Sequence, residues 1–353
     1  MNAVNVTLLC YPYHSSKHTG RGHDRYIAEM VDNISADCKD VKLTVIDHGF
    51  SKRVMDGVLK APRQGLDLLR ANGDVYFATS TVAGATALLA GKGPVVVTIH
   101  DVVPFNVSGY DSSLKYRIWR QCIRLCVKRA AAIIVPYQIT KDWLITNLHA
   151  DPNKLHVVNY GVDHTTYFPQ PAVTRDPCTV LYLGEVSRNK GVEVLIRAFG
   201  EVKRQVPAAR LMIGGKRSQD QPFLEQLAKT LGLADLAFEG FIAESELANH
   251  YAKATVMVFP SPSGFGLSTI EAMACGTPVV GVRALDAPEF FADAAVLADP
   301  ENVSDLAAAL IRVLVDPDLQ RDLSGRSIAR AAQFSWSRTA RETAKVCAQI
   351  AGR

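Results

Sequence analysis

Short apolar runs alternate along the whole chain with longer stretches whose hydrophobic residues recur at helical spacing. In the first half the runs are VNVTLLCYP from Val4, VKLTVIDH from Val41, VYFATS from Val75, VVVTIHD from Val95 and AAIIVPY from Ala131. The second half supplies TVLYLGE from Thr179, ARLMIGG from Ala209, LAFEGFI from Leu236, TVMVFPS from Thr255 and PVVGV from Pro278. Near-continuous apolar runs read as strands buried on both faces, and strands alternating with helices imply parallel sheets. The pattern predicts an α/β chain of two doubly wound units. Between them Phe168–Pro177 holds three prolines and no hydrophobic period, as a linker would.

One stretch is more specific. In Ser261–Val282 an apolar strand runs through Gly264, Phe265 and Gly266 into the segment STIEAMACG, which reads as a helix stopped by Gly276 and Pro278. Glycines at such a turn let bare N–H groups approach an anion at a helix N-terminus, the usual way of holding a nucleotide's phosphates.

Composition narrows the class. The 353 residues suffice for two cores, and 48% hydrophobic with 21% charged residues is ordinary for a soluble enzyme. A net charge of +4 is too small and dispersed to imply nucleic acid as a partner. The seven cysteines form no CxxC pair and no zinc-type spacing, so reduced thiols are expected, with Cys122 and Cys126 read as core packing. No apolar run reaches the ~18 residues of a spanning helix, and the first residues lack a basic, then hydrophobic, leader pattern. A cytoplasmic protein is expected.

The Ser261–Val282 stretch resembles the signature of retaining glycosyltransferases of family 4: a Glu, the residues GFGLP or similar, and a second Glu. Here the second Glu is Glu271 and the core is Phe265, Gly266 and Leu267, but Ser263 stands where the first Glu belongs and Ser268 replaces the Pro. The resemblance covers nearly the whole chain. It implies the GT-B fold, two Rossmann-like domains facing across a cleft: an acceptor-side domain over 1–167, a linker over 168–177 and a nucleotide-sugar domain over 178–334. The terminal FSWSRTARETAKVCAQI resembles the helix that returns to the first domain, so 335–353 would complete it.

Several residues could carry the chemistry. Arg188 and Lys190, between the strand ending at Gly184 and a helix starting near Gly191, suit a diphosphate; two surface cations are the plainer alternative. In the family this loop carries an Arg and a Lys. Lys190 matches the Lys, Glu185 occupies the Arg position, and Arg188 lies three residues on. The segment HTGRGHDRYIAEM from His18 has Arg25 where a dinucleotide fingerprint needs its third Gly, which argues against a nicotinamide enzyme. The resemblance instead sets Gly20 and Gly22 under the donor diphosphate, with Arg21, His23 and Asp24 equally readable as plain loop. It puts His100 and Asp101 beside the transferred sugar, a capping role for Asp101 being the alternative. The nucleotide base falls against backbone near Phe241 and Ile242. Glu271 would take the ribose hydroxyls, in competition with a capping box made with Ser268. Asn159, Gly161 and Asp163 read as turn residues and Asp316–Asp318 as a surface turn.

The implied activity is retaining transfer of a sugar from a nucleoside-diphosphate donor, UDP or GDP, to an acceptor hydroxyl of a glycan, a lipid-linked carrier or a small molecule. With Ser263 in place of a carboxylate no nucleophile is evident, so front-face substitution without a metal or other cofactor is expected. Two alternatives stay open: a non-catalytic GT-B protein that binds nucleotide sugar or a partner enzyme, and a nucleotide-sugar epimerase of the same fold. The basic amphipathic segment Leu114–Ala132 leaves peripheral membrane contact open, a solvated helix face being the alternative.

Overall fold

The computed structural model describes residues 3–10, 22–47, 67–102, 105, 114–261, 266–283 and 287–352. The chain divides into two units, residues 1–161 with 336–353, and residues 162–335.

In the first unit six strands, β1 (Val4–Cys10), β2 (Val41–Asp47), β3 (Val75–Ala78), β4 (Val95–Thr98), β5 (Ala132–Val135) and β6 (Leu155–Val157), form one sheet in the order β2-β1-β3-β4-β5-β6. Every pairing is parallel. β3, β4 and β5 are buried along their whole length, which is why they read as unbroken apolar runs. Leu9, Tyr76, Val97, Ile99, Ile123 and Ile133 share one core.

The helix Trp336–Ile350 folds with this unit. Its Thr339 hydroxyl donates to the Asn159 carbonyl at 2.8 Å, and Ser337 and Arg341 both reach Asp37, the last residue of the helix Gly22–Asp37. The Trp336 ring packs against Tyr26 and Tyr160.

The second unit repeats the plan with β7 (Thr179–Leu183), β8 (Arg210–Gly214), β9 (Leu236–Gly240), β10 (Val256–Phe259), β11 (Val279–Val282) and β12 (Ala295–Ala298). The order is β12-β11-β10-β7-β8-β9, again all parallel. The helix Val192–Gln205 buries Val192, Leu195, Ile196, Phe199 and Val202, the 3–4 spacing of one helical face, on a core that includes Val180, Leu211, Ile213 and Val258. Each such side chain contributes roughly 1.5–3 kcal/mol by leaving water. Leu306, Leu310 and Val313 of the helix Val303–Val315 join the same core.

Phe168–Pro177 lies in this unit and is tied to it. The Arg175 guanidinium donates to the Gly276 carbonyl and to Ser324, and the Asp176 amide donates to the Lys253 carbonyl at 2.7 Å.

Candidate functional site

In the second unit β7, β8 and β9 succeed one another outward in one direction, and β10, β11 and β12 in the other. The order therefore reverses between β7 and β10. Doubly wound sheets bind ligands beyond the carboxyl ends of the strands at this reversal.

Glycine lets the strand ends crowd there. The Gly184 amide donates to the Gly214 carbonyl at 3.0 Å and the Gly215 amide to the Gly240 carbonyl at 2.7 Å. Gly215 has φ +135°, and a Cβ on it would overlap the Gly184 carbonyl oxygen; no other residue fits. The Tyr182 hydroxyl turns back to the Glu185 carbonyl at 2.8 Å.

The chain then makes a 3-10 turn over Arg188–Lys190 that ends on Gly191 at φ +75°. A Cβ at Gly191 would overlap the Pro260 carbonyl oxygen, so the turn after β7 is packed on the residue that follows β10. Lys190 is half-buried, and its ammonium has no hydrogen-bond or ion-pair partner among the described residues. Arg188 differs. Its Nε donates to Glu193 at 2.8 Å, its guanidinium lies 5.1 Å from the Phe223 ring centroid, and its amide donates to Asp220. Glu193 also holds Arg197 at 2.9 Å. Burial alone would raise the Glu193 carboxyl, but bonds from Arg197 and Arg188 carry it below the usual carboxylate range. Among the described residues the Lys190 ammonium is thus uncommitted, whereas the exposed Arg188 guanidinium is engaged by Glu193 and Phe223.

The helix Leu267–Ala274 starts after Gly266, where a Cβ would come within 2.5 Å of the Phe259 ring. Ser268 lies inside the helix and donates to the Leu183 carbonyl at 3.0 Å, while Gly266 occupies the cap position. The capping-box alternative for Glu271 is therefore not what this helix adopts. Glu271 is buried, and its Oε2 accepts from the Tyr251 hydroxyl at 2.7 Å. Burial, and then the Glu271 charge, push the neighbouring Cys275 thiol up to about 12. Beyond β9, Phe241 is 58% exposed while Ile242 is buried over Gly214. Gly20, Ser263, Gly264 and Phe265 lie outside the described residues.

In the first unit His100 follows β4 and Gly22 opens the helix Gly22–Asp37. His100 Nε2 lies 2.7 Å from the Thr79 carbonyl oxygen, which can only accept, so Nε2 carries the proton. Nδ1 then accepts from the Tyr160 hydroxyl at 2.6 Å. His23 Nε2 donates to the same Thr79 oxygen at 3.1 Å, and the two imidazoles meet edge to face. Burial, and then His23, lower the His100 pKa to about 3 against the upward pull of the Thr79 bond. His100 is a neutral ring with both nitrogens committed, one to Thr79 and one to Tyr160. Asp101 is half-buried beside it.

Asp163 accepts from Thr165 and Thr166 and makes the expected turn, and Asp316 caps the helix Pro317–Ala331. Among the described residues no group of three His, Cys, Asp or Glu is placed to hold a metal ion, and no helix is long and apolar enough to cross a membrane. Tyr251, Tyr160 and Glu193 carried no local signal in the sequence, because each acts on a residue distant along the chain or by choice of rotamer. The Gly214-Gly215 doublet at the end of a strand was a visible signal.

Two doubly wound parallel units, the second with a glycine-crowded reversal bearing a lysine and a buried glutamate, define the GT-B class. Residues 20–166 match the profile of Glycosyltransferase Family 4 and residues 163–330 that of Glycosyl transferases group 1. The chain belongs to this glycosyltransferase family. Among curated relatives, D-inositol 3-phosphate glycosyltransferase of Thermobifida fusca is 33% identical over 216 residues, covering 56% of this chain and 50% of the relative. O-antigen chain mannosyltransferase B of Escherichia coli is 25% identical, covering 70% and 68%. The chain spans about half the length of the inositol 3-phosphate glycosyltransferases it matches. A sucrose-phosphate synthase structure from Thermosynechococcus elongatus superposes with a TM-score of 0.84 at 21% identity, covering 98% of this chain and 99% of that one. Anabaena HepE, solved with UDP-glucose, gives 0.77 at 19% identity, with 98% and 100% covered. At these identities the two structures attest the shared fold.

Proposed function

We propose that the chain moves a sugar from a nucleoside-diphosphate donor, carrying UDP or GDP, to an acceptor hydroxyl, retaining the anomeric configuration. Family membership supports the reaction class, and the UDP-glucose bound to HepE supports the donor class. The observation that carries the reading is Lys190, whose ammonium is uncommitted among the described residues on a turn at the β7–β10 reversal. There it takes the donor phosphates and stabilises the charge that grows as the phosphate leaves. The Gly264–Gly266 amides assist, Glu271 receives the ribose hydroxyls, and the base lies by Phe241 and Ile242.

Ser263 offers no carboxylate for a covalent intermediate. The bond from the anomeric carbon to the phosphate oxygen breaks, the acceptor oxygen bonds to that carbon on the same face, and its proton passes to the departing phosphate. Cationic and amide donors balance the charge, so no metal is needed. His100 contributes a fixed neutral ring, with Asp101 beside it. The acceptor is a hydroxyl on a glycan, a lipid-linked carrier or a small molecule.

Incubating the protein with UDP- and GDP-sugars, with and without EDTA and acceptor alcohols, tests this. Slow donor hydrolysis that is insensitive to EDTA, giving a sugar of unchanged anomeric configuration by NMR, is expected. Tight binding without turnover would instead make the chain a regulator, and an isomerised nucleotide sugar would make it an epimerase.

A further inference from the structure

Tyr251 lies twenty residues before Glu271, in the helix Glu244–Lys253, and is fully buried. Its hydroxyl donates to Glu271 Oε2 at 2.7 Å. The ring meets Tyr167 edge-on with centroids 5.9 Å apart, and its own carbonyl accepts from the Thr277 hydroxyl at 2.7 Å. Thr277 follows the helix that carries Glu271, so this second bond fixes Tyr251 against the same element from another side. The donor to the carboxylate is thus held by a ring contact and a backbone anchor.

A carboxylate that receives two hydroxyls of a diol must keep its plane fixed, whereas a glutamate side chain has three soft torsions to lose. Pinning one oxygen with a charge-assisted bond removes that freedom before the ligand arrives. Ser268, the other hydroxyl that the sequence offers to Glu271, is spent on the Leu183 carbonyl. We infer that Tyr251 is a positioning residue for ribose recognition: its hydroxyl holds Glu271 Oε2 so that the carboxylate meets the 2′ and 3′ hydroxyls in a fixed orientation. This rests on the reading of Glu271 as the ribose ligand given above.

The test compares binding of UDP and GDP with that of their 2′,3′-dideoxy counterparts, by calorimetry, in the full chain and in Tyr251→Phe. Phenylalanine keeps the ring and its packing. Wild type should bind one ribonucleotide at least about tenfold tighter than its dideoxy form, since that form leaves a charged acceptor unpaired. Tyr251→Phe should lose about tenfold for the ribonucleotide and little for the dideoxy form, so that the ratio falls toward one. Tyr251→Phe retaining the full ratio, or losing both forms equally, would overturn the positioning role and leave the donor site standing. Wild type that binds neither nucleotide, or binds both forms alike, would overturn the ribose reading and this inference with it. Glu271→Gln should reduce the ratio in the same way and make Tyr251→Phe silent in the double variant. Independent losses in that double variant would count against the inference.

Discussion

Gly191 sets its bare α-carbon against the carbonyl oxygen of Pro260, joining the turn after β7 to the end of β10. These are the two strands that flank the reversal of the second sheet, so one glycine seats the lysine-bearing turn against the residue that follows β10.

Gly191→Ala should destabilise the chain by about 2 kcal/mol or more, because it adds a left-handed φ penalty to a clash with fixed backbone. Urea unfolding measures the loss. Donor binding should weaken beyond what stability explains, and unchanged stability would mean that Pro260 yields freely.

Lys190→Ala should lower kcat by ~10²-fold or more, as removal of an oxyanion-type donor does. Arg188→Ala should cost under about tenfold, since Glu193 and Phe223 already engage its guanidinium. Steady-state kinetics with a competent donor check the contrast, and equal losses would return Arg188 to the diphosphate.

His100 should stay neutral with its proton on Nε2 from pH 5 to 8, which 15N NMR of the imidazole reads directly. Its folded pKa, about 3, lies below the ordinary value of 6.5. Below pH 6.5 the unfolded chain therefore binds the extra proton. The stability contributed by the neutral ring is complete above that pH and falls by up to about 1.4 kcal/mol per unit as pH drops toward 3. His100→Gln should remove one proton's worth of that slope in urea titrations between pH 4.5 and 7.

Ser263→Glu should change donor preference toward sugars with a full set of hydroxyls, since a carboxylate accepts from hydroxyls more strongly than serine does. A competition assay among hexose, deoxy and amino sugar nucleotides shows the shift, and an unchanged order of preference removes Ser263 from donor selection.

Ten of the twelve strands among the described residues were legible as apolar runs, the inner ones because parallel strands covered on both faces admit few polar residues. β6 and β12 were not: Leu155–Val157 is three residues long with a histidine in its middle, and Ala295–Ala298 sits among small residues without contrast. Within the site, the position of Lys190 followed from the glycines between strand and helix, and that of Glu271 from the resemblance to the family 4 signature. Their partners did not. Nothing in the chain near Arg188 says that its guanidinium will choose Glu193 and Phe223, and Tyr251 and Tyr160 reach residues 20 and 60 positions away. Spacing reports backbone geometry, whereas rotamer choice among competing acceptors is settled by packing.

The helix Trp336–Ile350 folds with the first unit although the whole second unit precedes it in the chain. On the ribosome, residues 162–335 can reach their native form while Tyr26 and Tyr160 still wait for Trp336. An amino-terminal fragment ending before that tryptophan would leave two buried tyrosines and the flank of the Gly22–Asp37 helix open to water, and would be a ready substrate for chaperones and proteases.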